Sequence, residues 1–462
     1  MKRLSVHIRA RNVFIVAAFV YCVLFSVLAS VHGTEFMIRS DSPGYLQLAQ
    51  NISEHQVFSQ SLQEPLEPDA FRTPLYPLFL SLIFLVAPGP WFVGIIQALL
   101  AALTVSYTYK IGEQLSGKVA GTLAALVFGF DFFHLVEFQT VSTNALFVPF
   151  LVIATYYLCR YVKTRCTRLL LVSAVMFGLA TLTRPVGMYL LLGLPLVLLG
   201  IEVIQYRKVR VLVLKHALVF ASVFFIVLSP WLVRNSVVFD EFSLTSIPPY
   251  NLYFWNLASL HADYFGVAYQ DVQEVLNADI QEKFPGLQQH DIRNFTLSEY
   301  YKDESLRIIR EHPAAYAREH MVGTVYFFLS NYYRKAVYIA LGTNESDIPV
   351  YNPVGMLKSG DFGSLFALAI SKSGVPIMAA FVGFGISTVL VFFMIANVFF
   401  LRRSQIWEYE LVLYALITYM ALITGPLGSG SYRYQVLPLI IILAVVGFAR
   451  MWGKFVADHR RV

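Results

Sequence analysis

Membrane-length apolar runs recur from one end of this sequence to the other, and they leave little room for a water-soluble fold. In hydrocarbon every backbone amide must find its partner within its own segment, so such runs are read as spanning helices. Hydrophobic residues fill 57% of the 462 positions and charged residues only 14%, a balance that excludes a soluble globule. The first run, Val13–Val31, follows Lys2, Arg3, Arg9 and Arg11. It lacks a clean small-residue cleavage site and is long for a signal peptide, so it reads as an uncleaved first span.

The net charge of +6 is gathered in clusters at Lys110–Lys118, Arg160–Arg168, Arg207–Lys215, Arg402–Arg403 and Arg450–Arg461. By the positive-inside rule these segments face the cytoplasm. They hug span ends without an aromatic-basic surface motif, so the charge reports orientation, and nucleic acid is not an expected partner. Cys22, Cys159 and Cys166 offer neither a disulfide framework nor a metal spacing.

With the basic clusters inside, the spans alternate. Val13–Val31 leads out, Trp91–Ile111 back and Val119–Val136 out; Ala145–Cys159 returns, Leu169–Thr183 exits and Val186–Ile204 returns. His216–Val233 exits, and Val375–Leu401, Leu411–Thr424 and Val436–Phe448 complete the set. The expected fold is an all-α polytopic membrane protein, with about ten spans read directly. Two segments break the alternation. Leu75–Ala87 gives roughly 20 Å of helix against ~30 Å of hydrocarbon, and reads as interfacial or re-entrant, or as the upper half of a broken span. Met321–Leu341 carries Arg334 and Lys335, and reads as an outer interfacial helix or half of a hairpin.

Three regions follow: 1–233, an N-terminal transmembrane module with its first exoplasmic loop over 32–90; 234–374, exoplasmic helices and loops; and 375–462, the last spans with a basic tail. Helical pattern is expected over Ser298–Arg310 and Pro313–Met321, and loop over Gly342–Gly363.

Chemistry-bearing residues collect on the outer side. Asp41, just past the first span, can act as a general base toward a hydroxyl or help bind a divalent metal with a phosphate. Asp41 or Ser42, followed by Pro43, equally reads as a helix N-cap. Arg72 suits a phosphate, which a guanidinium binds in a fork, or anchors the interface beside Tyr76. Glu64, Glu67 and Asp69 precede it, either as helpers of Asp41 or as a solvated acidic loop. Arg184, Arg234 and Arg433 fall on the same side, where charges at membrane depth face cavities, partners or headgroups. No P-loop, Rossmann fingerprint or soluble Asp-x-Asp is present, which argues against a nucleotide-sugar enzyme.

Asp41-Ser42-x-x-Tyr45, Arg72-x-Pro74-x-Tyr76-Pro77, Pro230-Trp231-x-x-Arg234-Asn235 and Tyr432-Arg433-Tyr434-x-x-x-Pro438 occur in that order. Together they resemble the GT-C superfamily of membrane glycosyltransferases, in particular its protein O-mannosyltransferase and aminoarabinose transferase branch with family 39-like bacterial members. Glu304–Pro313 also resembles the helix these proteins carry after their large loop. The resemblance implies a GT-C-type bundle of about 10–12 transmembrane helices with exoplasmic interfacial helices. It implies a polyprenyl-phosphate-sugar donor, an inverting transfer, and a glycan, lipid or protein hydroxyl as acceptor, at the outer face of a bacterial inner membrane. Asp41 would then be the catalytic residue, and Arg72, Arg433, Arg184 and Arg234 would bind the donor phosphate. Tyr45, Tyr76, Asn144 and Tyr432 would line the substrate site. No cofactor is fixed by these residues; a divalent metal stays open, with Asp41 and Glu67 or Asp69 as its candidate ligands.

The pattern departs at Thr143-Asn144-Ala145, where the superfamily often has an acid; Asn is a poor base and a weaker metal ligand. Glu137 or Asp131 could substitute. Two other functions share these features: a lipid-linked glycan polymerase or ligase, and a lipid or sugar-lipid flippase. The flippase should show matching halves, which this sequence lacks.

Overall fold

The computed structural model describes residues 9–459, apart from 88, 268–270, 288, 330–331, 344–362, 364–373, 402–403 and 428–429. Arg402–Arg403 and most of the loop expected over Gly342–Gly363 therefore lie outside the described residues. Among those described there is no strand, and the apolar runs expected to span lie on helices, one of them, Val119–Val136, shared between two. Seven helices are long and apolar enough to cross a membrane: Ala10–His32, Pro90–Gly129, Asn144–Thr164, Pro185–Tyr206, Val211–Phe239, Gly374–Val398 and Tyr432–Gly453. This is an all-α multi-pass membrane protein.

In chain order the N-terminal helices are α1 (Ala10–His32), α2 (Ser42–His55), α3 (Leu75–Val86), α4 (Pro90–Gly129), α5 (Phe132–Glu137), α6 (Asn144–Thr164), α7 (Thr167–Thr183), α8 (Leu190–Tyr206) and α9 (Val211–Phe239). α4 is in fact a hairpin. Ser116 and Gly117 leave helical geometry, with Gly117 at φ +80°, a conformation that glycine adopts without steric penalty. A methyl at Gly121 would sit 2.6 Å from the Tyr109 carbonyl, so the two arms touch only because that side chain is absent. The returning arm is short and ends at Gly129, whose carbonyl accepts from the buried Tyr21 hydroxyl at 3.0 Å. The run expected as one span over Val119–Val136 thus divides at Phe130–Asp131, and α5 is a separate turn.

α3, at twelve residues, is too short to cross. It buries Tyr76, Leu80 and Ile83 and leaves Leu82, Leu85 and Val86 exposed.

The basic clusters meet at one end of the bundle. Glu202, fully buried, binds Arg165 at 3.3 Å and Arg210 Nη2 at 3.2 Å. Glu410 receives Arg450 at 2.6 and 3.1 Å, with Ser404 and Asn397 completing its shell. α6 runs from Asn144 at the opposite end to Lys163 at this one, so Asn144 and its neighbours lie across the bundle from these ion pairs.

Between the spans, residues 247–311 build a second, smaller core around Tyr253, Phe254, Val272, Leu276, Ile280 and Tyr301. Its helices include Ala258–Phe265, Val272–Lys283 and Ser298–Glu311, the last on the segment where helix was expected. This layer docks on the first loop: Asn294 Oδ1 accepts from the Ala70 amide at 3.0 Å, and the rings of Phe71 and Tyr250 meet edge to face at 5.1 Å. Pro313–Leu329 and Tyr333–Ala340 follow, the second packed on α5 and on Gly374–Val398 with Ala336 and Ile339 buried. The chain ends with Trp407–Ile423 and Gly430–His459.

Candidate active site

Asp41 occupies the N-cap position of α2, yet its carboxylate caps nothing. The adjacent Ser42 hydroxyl donates instead to the Val141 carbonyl at 2.7 Å and accepts from the Arg39 amide at 2.8 Å. That bond, with Val141 N donating to Met37 O at 2.8 Å, fastens the first loop to the 138–144 loop. The Asp41 side chain is 65% exposed and turns to Arg72, whose Nη2 reaches Oδ1 at 2.8 Å. Both readings of this residue meet here: the backbone starts a helix while the carboxylate stays available.

Arg72 is itself nearly buried. Its Nη1 donates to the Tyr45 hydroxyl at 3.2 Å, and the guanidinium lies 4.7 Å from the Tyr45 ring centre. Its buried Nε–H has no hydrogen-bond partner among the described residues. Burial pushes the Asp41 carboxyl up, but the charge and hydrogen bond of Arg72, with the charges of Arg184 and Lys335, outweigh that and hold it below the ordinary carboxylate value. The site is therefore a solvent-reaching carboxylate paired with Arg72 and stabilised by the more distant charges of Arg184 and Lys335.

Asp69 is placed differently. It is buried, and its oxygens accept from Gln60 Nε2 at 2.7 Å and from the amides of Phe71 and Arg72 at 2.9 and 3.3 Å. Burial raises its carboxyl above the ordinary value despite these bonds. Asp69 shapes the turn that presents Arg72. Glu67 is exposed. Among the described residues no three His, Cys, Asp or Glu side chains gather as a metal site, and Asp69 turns its oxygens inward, so the residues present do not form a cage for a divalent ion.

A second group adjoins the first across the 138–144 loop. Asn144 Nδ2 donates to Glu137 Oε1 at 2.9 Å, and the Ser142 hydroxyl donates to the same oxygen at 3.0 Å. Arg184 Nη1 donates to Thr143 Oγ1 at 2.7 Å and to Asn144 Oδ1 at 3.5 Å, and its guanidinium is 5.7 Å from the Tyr432 ring centre. Gln435 Nε2 approaches Asn144 Oδ1 at 3.4 Å. Asn144 thus sits at a crossing of acid, guanidinium and amide, with Glu137 as the acid beside it.

The remaining candidates stand further out. Tyr76 donates to Gln97 Oε1 at 2.8 Å and meets the Tyr45 ring edge to face at 5.3 Å, bracing Tyr45 from below. Arg433 is buried near Asp131, whose Oδ2 accepts from Tyr333 at 2.6 Å and whose Oδ1 caps α5 by accepting from the His134 amide at 2.9 Å. Arg234 donates to the Asp69 carbonyl and to Asn235 Oδ1, both at 2.8 Å, and lies 4.7 Å from the Trp231 ring centre. It ties α9 to the turn before Arg72. Lys335 and Gln435 entered the site without a sequence motif; the one signal was a lysine inside an otherwise apolar segment, a charge at such depth needing a cavity.

Residues 71–233, about a third of the chain, match the family model described as dolichyl-phosphate-mannose-protein mannosyltransferase. No curated protein matches. Among solved structures the chain is similar to the oligosaccharyltransferase AglB of Archaeoglobus fulgidus, in complex with an inhibitory peptide and a dolichol-phosphate. Identity is 13% and the TM-score 0.49, over 98% of this chain and 52% of that one, so this chain spans about half the archaeal protein's length. It is also similar to ArnT of Cupriavidus metallidurans bound to undecaprenyl phosphate, at 13% identity and a TM-score of 0.40 over 92% and 77% of the two chains.

Proposed function

We propose that this chain is a GT-C-type membrane glycosyltransferase, a reading supported by the match of residues 71–233 to the mannosyltransferase family model, and that it moves a sugar from a polyprenyl-phosphate donor to an acceptor hydroxyl at the exoplasmic face of a bacterial inner membrane. The observation that carries this reading is the Asp41–Arg72–Tyr45 arrangement. A carboxylate reaching solvent is held by a guanidinium that still has a buried, unpartnered Nε–H.

In the resting site Asp41 is a weak base, because three cations stabilise its charge. A donor phosphate competes for Arg72 and presents oxygens to Nε–H and Nη2 together, the geometry a guanidinium prefers. Losing Arg72 raises the proton affinity of Asp41 as the donor arrives. The acceptor hydroxyl then gives its proton to Asp41, and its oxygen bonds the anomeric carbon from the face opposite the phosphate. The anomeric carbon–phosphate oxygen bond breaks and its electron pair leaves on the polyprenyl phosphate, which gives inversion. Arg72 and Arg184 neutralise the charge that develops there, and Asn144 and Glu137 accept from or donate to sugar hydroxyls. Arg433 and Arg234 act one layer out, on Asp131 and on the Asp69 turn.

The test is Asp41→Asn, reconstituted in proteoliposomes with a labelled polyprenyl-phosphate sugar. Transfer is lost while expression and helix content are kept. Unchanged transfer overturns the assignment, and favours the polymerase or ligase reading, which has no need of Asp41. Movement of labelled lipid across the bilayer without covalent transfer favours the flippase.

A further inference from the structure

The small core over 247–311 carries a cleft that the transfer step does not use. It has a volume of about 160 Å³ and is bordered by Tyr253, His261, Tyr264, Asp279, Glu304 and Arg307, among others.

Its cations are already engaged. Lys283 donates to Asp279 at 2.8 Å and to the Tyr300 hydroxyl at 3.0 Å. Arg307 holds Glu304 at 2.9 Å through Nε and Glu311 at 2.6 Å through Nη1. An anionic ligand would have to break these pairs. A ligand rich in hydroxyls would not, since a paired carboxylate keeps lone pairs free to accept.

His261 supplies the second observation. It is 3% exposed and borders the cleft, and its buried Nε2 has no hydrogen-bond partner among the described residues. Burial lowers its pKa to about 4, with Glu304 and Asp279 opposing only in part, so the ring is neutral at physiological pH. An unpartnered nitrogen of a neutral imidazole can accept from, or give to, a sugar hydroxyl. Beside His261 the Tyr264 side chain is 74% exposed, an open aromatic face with a polar tip.

We infer that this cleft is a saccharide-binding site, where the Tyr264 ring stacks the C–H face of a neutral sugar, Asp279 and Glu304 accept from its hydroxyls, and His261 Nε2 accepts from or gives to one of them. Sugar binding stands on the cleft alone; its role, holding a glycan acceptor, rests on the transferase reading above. The same layer docks on Phe71, next to Arg72, so a glycan held there lies on the structural unit that contacts the phosphate-binding turn.

The test uses the full chain in nanodiscs without donor, on a printed array of neutral and uronic-acid oligosaccharides, followed by saturation-transfer NMR of the best neutral binder. At least one neutral saccharide is retained by the unaltered chain and by Asp41→Asn. Tyr264→Ala, at an exposed position, weakens it about tenfold, and Glu304→Gln weakens it in the same direction. Retention of no saccharide, or equal retention by Tyr264→Ala, overturns the proposal. If Asp41→Asn abolishes transfer but nothing is retained, only the cleft assignment fails. If a sugar is retained and Asp41→Asn still transfers, only the transferase reading fails.

Discussion

Asn144 donates its side-chain amide to Glu137 Oε1 at 2.9 Å, so the residue standing where the sequence resemblance implies an acid holds an acid in place. Glu137 lies seven positions upstream, at the end of α5, and the amide ties it to the start of α6. Glu137 is buried and receives two donors on one oxygen, which fixes its direction toward the 142–144 turn.

This relationship orders two variants. Glu137→Gln keeps the shape but replaces an acceptor with a donor facing Asn144, and is expected to lower kcat by roughly 10²-fold. Asn144→Ala removes one of two bonds to Glu137 and should lower it less, about tenfold. Steady-state transfer in proteoliposomes separates them; a larger loss in Asn144→Ala would place the chemistry on the amide.

Arg72 makes two directional bonds and two ring contacts from one planar group. Lysine offers a point charge without the fork. Arg72→Lys is therefore expected to raise the apparent KM for the polyprenyl-phosphate donor nearly as far as Arg72→Ala, about tenfold or more. Donor titrations at saturating acceptor check this. Full rescue by lysine would mean that charge alone binds the phosphate.

The helices were legible because hydrocarbon permits so few backbone arrangements, and α6, α7 and α9 follow the apolar runs closely. The break at Phe130–Asp131 was not legible. Within Val119–Val136 only Asp131 and His134 interrupt an otherwise largely apolar run, and the turn there is tolerated because Tyr21, Tyr434 and Phe128 enclose it within protein. At the site, Asp41 and Arg72 were visible as charges at a membrane exit, and their pairing needed only loop closure. Lys335 was visible solely as an unplaced charge, because its approach depends on Tyr333–Ala340 packing against α5, a contact between segments some 200 positions apart. Arg184 and Arg234 look alike in sequence, each within four positions of a proline at a span end. Only the fold distinguishes the first, turned to Asn144, from the second, turned to the Asp69 carbonyl.

The charges around Asp41 set a pH dependence. Its carboxyl lies below the ordinary value in the folded chain, so the base form persists as pH falls toward about 3.9 and lower. Lys335→Gln removes one of the cations, the carboxyl rises, and the acidic limb of kcat/KM moves to higher pH. The same depression contributes stability that is present above the unfolded carboxylate's pKa and lost as pH falls through the folded one. A pH profile of both proteins over the acidic range tests the direction. An unmoved limb would mean that another group controls it.

At the far end of the bundle, Glu410 and Arg450 form a buried pair with bonds at 2.6 and 3.1 Å, and Ser404 and Asn397 satisfy what remains of the shell. Removing one partner leaves an uncompensated charge in a low-dielectric interior, which costs about 3–5 kcal/mol. Arg450→Ala should therefore destabilise strongly, by more than Arg307→Ala, which breaks exposed pairs worth about 0–1 kcal/mol. Replacing both groups, as in Glu410→Leu with Arg450→Met, should recover much of the loss, because no lone charge is left behind. Thermal unfolding in one detergent, followed by tryptophan fluorescence, ranks the three. A double variant no more stable than Arg450→Ala would show that the helices are held here by packing around the pair and not by its charges.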